Sequence, residues 1–167
     1  MEIRSSLPLH RVPAAIPSQL RVDGLVEQPL ALTVADLEAL PQRTVVDDFT
    51  CLEGWTVPGL VWEGVPLEAL LALVQPRPEA QWVQASAGEF TMPLPLAEAR
   101  GALLALRLNG QPLPKEHGGP LRLIVPGREC FTSIKWLERL ELRAAPGPDT
   151  ARQIARGRLA PDRPADA

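Results

Sequence analysis

The sequence predicts an α+β domain. Short strand-like runs outnumber helical ones, the helical segments do not alternate regularly with the strands, and 167 residues, 46% of them hydrophobic, suffice for one core. Residues 1–18 alternate proline with small and polar residues and read as an extended arm. Residues 19–143 form the folded zone, and residues 144–167, rich in proline, glycine and charge, read as a frayed tail.

Within the folded zone, Gln19 to Val26 is strand-like up to the Asp23-Gly24 turn signal. Thr33-Val-Ala-Asp36 has the spacing of a capping box and opens a short helix to Leu40, which Pro41 stops. Arg43 to Cys51 reads as a strand whose β-branched Val45 and Val46 favour extended backbone. Pro66 suits a first helical position, and Leu67, Leu70, Leu71 and Val74 then share one helical face. Gln81 to Ala85, Glu89 to Met92 and Leu103 to Leu108 read as strands, the last ending at the hairpin signal Asn109-Gly110. Leu121 to Val125 is apolar except for Arg122 and suits a buried strand. Ser133 to Leu137 is expected to form a helical turn and Leu140 to Leu142 a last strand.

Composition removes several kinds of chemistry. With 17 basic against 20 acidic residues and no long like-charge run, the chain has no electrostatic footprint for nucleic acid. No stretch approaches the roughly 20 apolar residues of a membrane-spanning helix, so membrane insertion is not expected. The N-terminal residues show neither a twin arginine nor an uninterrupted apolar run, which makes a cytoplasmic location the expectation. Two cysteines, Cys51 and Cys130, are too few for a four-thiolate cluster or a disulfide scaffold, and the absence of tyrosine excludes tyrosine catalysis.

Cys51 lies in Asp47-Asp-Phe-Thr-Cys-Leu-Glu-Gly-Trp-Thr56, where strand gives way to loop. It reads either as a buried structural thiol or as a reactive sulfur, nucleophile or metal ligand, both of which need the thiolate. His117 precedes two glycines that allow backbone to approach a ligand, yet a loop histidine bonded to backbone fits the same residues. A Cys51–His117 dyad lacks the motif of any cysteine hydrolase. Arg122, on an otherwise apolar strand, requires a partner, either a bound anion or a carboxylate such as Glu116.

Taken in order, several blocks carry a resemblance. They are Asp23-Gly-Leu-Val-Glu-Gln-Pro-Leu30, Cys51-Leu-Glu-Gly-Trp55, Trp62-Glu-Gly-Val-Pro-Leu67, Leu108-Asn-Gly-Gln-Pro-Leu-Pro114, His117-Gly-Gly-Pro-Leu-Arg-Leu-Ile-Val-Pro-Gly127 and Ser133-Ile-Lys-Trp-Leu137. Together they resemble the molybdopterin-binding domain of the sulfite oxidase family, in particular its small bacterial members and the catalytic subunits of methionine-sulfoxide reductases.

The resemblance implies a mostly mixed β-sheet with short helices, built around one molybdopterin whose dithiolene sulfurs hold molybdenum. Cys51 matches the protein ligand to the metal, a soft thiolate suited to a metal already bound by sulfur. Glu53 would set the charge beside it. His117 and Arg122 match cofactor contacts, and Cys130, Phe131, Thr132, Ser133 and Lys135 match the segment that wraps the pterin and its phosphate. Ser86 matches a further polar contact. Relatives commonly carry glycine, an aromatic and a basic residue where this chain has Cys130, Phe131 and Thr132, so one basic phosphate anchor is missing and a side chain stands at a glycine position.

The function so implied is a molybdenum-dependent oxidoreductase that moves an oxygen atom to or from a small substrate. A sulfoxide-like substrate is favoured over sulfite, because Glu53 opposes an anion and the tyrosine that sulfite oxidases place beside the metal has no counterpart. With no haem or iron-sulfur ligand set in the chain, a separate electron-transfer protein is expected as partner. The alternative is a family member that keeps the fold and acts as a non-catalytic binding or interaction module.

Overall fold

A computed structural model describes residues 2–9 and 11–159. Its strands are β1 (Glu2–Ile3), β2 (Leu20–Gly24), β3 (Leu30–Leu32), β4 (Arg43–Thr50), β5 (Trp55–Pro66), β6 (Trp82–Ala87), β7 (Phe90–Pro95), β8 (Leu103–Leu108), β9 (Gln111–Pro112), β10 (Arg122–Ile124) and β11 (Arg139–Arg143). Its α-helices are α1 (Val34–Glu38), α2 (Leu67–Val74), α3 (Leu96–Ala99) and α4 (Thr150–Gly157). One sheet runs β1-β5-β8-β10, with β4 also paired to β5 and β9 to β8. The other runs β3-β2-β11-β6-β7.

Strand alternation places the core on both faces of the first sheet. On β8, Leu104 and Leu106 face a large apolar cluster shared with the second sheet and α2. Leu103 and Ala105 face a smaller cluster with Trp55, Trp62 and Ile124. Arg122 and Ile124 lie two residues apart on β10, so the arginine shares the face of the smaller cluster. Strand β5 gains one residue on β4 between its partners Val57 and Leu60. This bulge, at Gly59 with φ +64°, lets Val57 and Leu60 both enter that cluster although three positions separate them.

Local signals read from the sequence explain much of this. Thr33 and Asp36 form the reciprocal capping box that starts α1. Helix α2 buries Leu67, Leu70, Leu71 and Val74, although Pro66 stands at its N-cap and not at its first helical position. Asn109 and Gly110, both at positive φ, close the two-residue hairpin between β8 and β9.

Two expectations are corrected. Residues 133–137 form no helical turn; the turn is a 3-10 segment at Cys130–Thr132, after which the chain runs beside β10. Backbone bonds from Leu123 N to Ile134 O (2.9 Å) and from Leu137 N to Leu121 O (3.0 Å) hold it there, and Trp136 bends it at φ +52°. Nor is the tail frayed as far as residue 159. Gly147 and Pro148 are bonded to the Gln84 side chain, the Thr150 hydroxyl donates to Glu89 O (2.6 Å), and Asp149 caps α4. Residues 160–167 lie outside the described residues.

At Gly64 the chain approaches β8 so closely that an added Cβ would run into the Leu104 carbonyl. Gly64→Ala is therefore expected to lower stability by about 1–3 kcal/mol, read from urea unfolding; an unchanged midpoint would contradict this close approach.

Candidate functional site

Strands β4 and β5 form a hairpin whose turn, Cys51–Gly54, presents the first cysteine. Cys51 N donates to Trp55 O (2.9 Å) and Gly54 N to Cys51 O (3.0 Å), and Gly54 takes φ +92°. The turn opens onto a cavity of about 470 Å³ lined by Cys51, Glu53, Arg122, Cys130, Ser133 and Lys135. Phe90, Trp55 and Phe131 supply apolar wall, and Ile154, Ala155 and Arg158 of the C-terminal segment close one side.

Arg122 is the most constrained group here. It is 3% exposed, and no carboxylate among the described residues pairs with it; Glu116, the expected partner, does not. Its Nε donates to Ser133 Oγ (2.9 Å) and its Nη1 to the His117 carbonyl (3.0 Å). The guanidinium also stands over the rings of Phe49 (5.2 Å) and Trp62 (5.3 Å). Burial lowers its pKa. Lys135 lies close enough that burial first, then Arg122 and Arg158, bring its pKa down to about 7.

Cys51 is pushed up to about 11, mainly by burial, with Cys130 and Glu53 adding to the rise and a backbone hydrogen bond opposing it. Its sulfur is therefore a thiol at neutral pH. Cys130 Sγ lies 3.3 Å from Cys51 Sγ. Glu53 accepts from the Trp55 indole (3.1 Å) and faces Arg4, which in turn covers the Trp55 ring at 4.9 Å.

Cys51, Glu53, Arg122, Cys130, Phe131, Ser133 and Lys135 thus gather around one cavity. The other three expected site residues do not line it. Ser86 sits within the second sheet, on β6 between β7 and β11, and is not among the residues lining the cavity. Thr132 is buried with its hydroxyl donating to Glu129 O (2.7 Å). His117 meets Arg122 through its carbonyl, while its ring Nδ1 is buried without a partner among the described residues. Burial, Arg122 and Lys135 all lower its pKa, which keeps the imidazole neutral.

The residues fit molybdopterin on two grounds. A buried guanidinium and a half-buried ammonium of like sign, with no carboxylate paired to them among the described residues, form a receptor for an anion such as the cofactor's phosphate. The Cys51 sulfur, open to the cavity, is a soft donor of the kind that suits a metal already held by dithiolene sulfurs. Helix α4 was missed by sequence reasoning. Its signal was present in the Asp149 cap, but prolines and glycines before it obscured it.

Comparison with known proteins places this geometry in context. The model of the oxidoreductase molybdopterin binding domain matches residues 10–151. The oxidoreductase YuiH of Bacillus subtilis is 37% identical over 125 residues, covering 73% of this chain and 63% of the relative. The protein-methionine-sulfoxide reductase catalytic subunit MsrP of Gluconobacter oxydans is 32% identical over 171 residues, covering 88% of this chain and 52% of the relative. Among solved structures, the sulfane dehydrogenase SoxCD from Paracoccus pantotrophus superposes with a TM-score of 0.71 at 32% identity, covering 77% of this chain and 38% of that one. The chain therefore spans less than two thirds of each of these relatives.

Lys135 gives this site a pH signature. In the folded, cofactor-free chain it loses its proton near pH 7, whereas the unfolded chain holds it to about 10.5. The unfolded state binds more protons between those values, so this group makes stability rise with pH across that window. Lys135→Met should flatten the rise and stabilise the cofactor-free protein at pH 7, on the order of 2 kcal/mol after allowance for solvent screening. Urea unfolding across that pH range measures it; an unchanged slope, or a less stable variant, would count against a buried unpaired ammonium.

Proposed function

This chain belongs to the oxidoreductase molybdopterin-binding domain family, whose cofactor is molybdopterin with molybdenum, and from that premise we propose that it is the catalytic domain of an enzyme transferring an oxygen atom to or from a small neutral substrate, a sulfoxide above all. The observation that carries the reading is the single cavity joining the Cys51 thiol to the unpaired Arg122 and Lys135. The cavity brings together a soft metal ligand and an anion receptor, which are the two attachments such a cofactor needs.

In this reading Cys51 gives up its proton to become the thiolate ligand, and the hairpin turn fixes where that sulfur points. Arg122, with its Nε held by Ser133, meets the phosphate together with Lys135. Arg158, which lines the same cavity from beyond the family match, supplies the basic contact that Thr132 does not. When bound, the cofactor supplies the oxygen-atom and electron transfer; the protein supplies position and field. Glu53 is fixed by the Trp55 indole, so its carboxylate stays at the mouth. Phe90 and Phe131 give a substrate an apolar seat.

The name of the methionine-sulfoxide reductase relative supports a sulfoxide, and so does this wall. An oxyanion is the second reading, favoured by Arg4 and Arg11 beside the cavity, where Arg4 offsets the Glu53 charge. Electrons would come from a redox centre outside these 167 residues, since their two cysteines and two histidines leave no ligand set for another centre.

Protein made in a host that synthesises molybdopterin should carry near-stoichiometric molybdenum and reduce a sulfoxide with a reduced viologen dye. Cys51→Ser should abolish turnover. Arg122→Met and Arg158→Gln should lower retained pterin by about 10–100-fold and less, respectively, as supporting contacts do. Full pterin retention in both arginine variants together with undiminished turnover in Cys51→Ser, read by metal analysis, pterin fluorescence and the dye assay, would overturn the assignment; faster reduction of nitrate than of sulfoxide would favour the second reading.

A further inference from the structure

The two cysteines meet at the cavity. Cys51 comes from the β4–β5 turn and Cys130 from the 3-10 segment Cys130–Thr132, seventy-nine positions away, yet their sulfurs are 3.3 Å apart. Both are free thiols, both are partly exposed, and both line the same open cavity. They are the only cysteines in the chain. A contact at 3.3 Å needs to close by roughly 1.2 Å to reach the S–S bond length of about 2.05 Å. Each sulfur sits on a turn and not within a strand, so side-chain rotation and a small shift of either turn supply that movement.

We propose that Cys51 and Cys130 form an oxidative modification site: in the cofactor-free chain they close an internal disulfide that occupies the metal-ligating sulfur and blocks cofactor loading until it is reduced. The co-reactant is a low-molecular-weight disulfide such as oxidised glutathione. One cysteine attacks it, forming a mixed disulfide and releasing one thiol; the neighbouring sulfur then attacks the mixed disulfide, closing the Cys51–Cys130 bond and releasing the second thiol. The two cysteines are oxidised together, and one small disulfide is reduced to two thiols. In the loaded protein Cys51 is committed to the metal, so Cys130 has no partner and the bond cannot form. The block on loading rests on Cys51 being the metal ligand; closure of the bond does not.

The test uses the full chain, made in a host unable to synthesise molybdopterin and treated with oxidised glutathione. Intact mass should show loss of two hydrogens, alkylation should find neither thiol, and dithiothreitol should return both. Cys130→Ser should never show that loss, and instead keep a glutathione adduct or a free thiol on Cys51. Molybdopterin released from a donor protein should enter the reduced chain and not the oxidised one. Stable glutathione adducts on the wild-type chain, or two thiols left free, would overturn the inference while leaving the cofactor reading intact. A closed disulfide that does not impede loading would instead overturn the role of Cys51 as ligand.

Discussion

The site is organised by a charge the protein does not neutralise. Arg122 is buried on β10 with two neutral acceptors and two aromatic rings around it, and it stands near enough to Lys135 to lower the basicity of that lysine further. Removing one charge from water without an ionic partner is among the more costly arrangements a fold can hold, and two of like sign are worse. Nothing in the apolar core requires either group. The cost is offset when an anion enters, and the same field that destabilises the cofactor-free chain then becomes binding energy.

Around that constraint the two sheets act as a frame. The bulge at Gly59 directs Val57, Leu60 and Trp62 to the face that Arg122 shares, and the β4–β5 hairpin carries Cys51 to the cavity that Arg122 also lines. The C-terminal segment is fastened to the second sheet through Gln84, Thr91 and Thr150, which brings α4 over Phe131, where Arg152 stacks at 5.6 Å. The protein thus builds one wall of its site from residues beyond those that match the family. Cys130 fits the same pattern of local revision. Its thiol brings a second sulfur to within 3.3 Å of Cys51.

Where a signal was local, the sequence was legible. The capping box at Thr33 and Asp36, the leucine face of α2 and the Asn109-Gly110 hairpin each depend on residues within a few positions of one another, and each took its expected form. The twelve-residue β5 escaped because its two irregularities break the period-2 pattern, and α4 escaped because its stability comes from bonds to β6 and β7 and not from its own composition. At the site, motif order was enough to bring Cys51, Arg122 and Lys135 into consideration. It was not enough for distances: the sulfur contact, and the place of Ser86 in the second sheet away from the cavity, arise from chain segments far apart in sequence.

The chain contains only two lysines, Lys115 and Lys135, so selective labelling of lysine side chains resolves the buried one by nuclear magnetic resonance. Following its titration in cofactor-free and cofactor-loaded protein addresses the central claim directly. The account requires Lys135 to lose its proton near pH 7 in the cofactor-free chain and to remain protonated well above that once the phosphate is bound. A lysine that titrates alike in both states would contradict it.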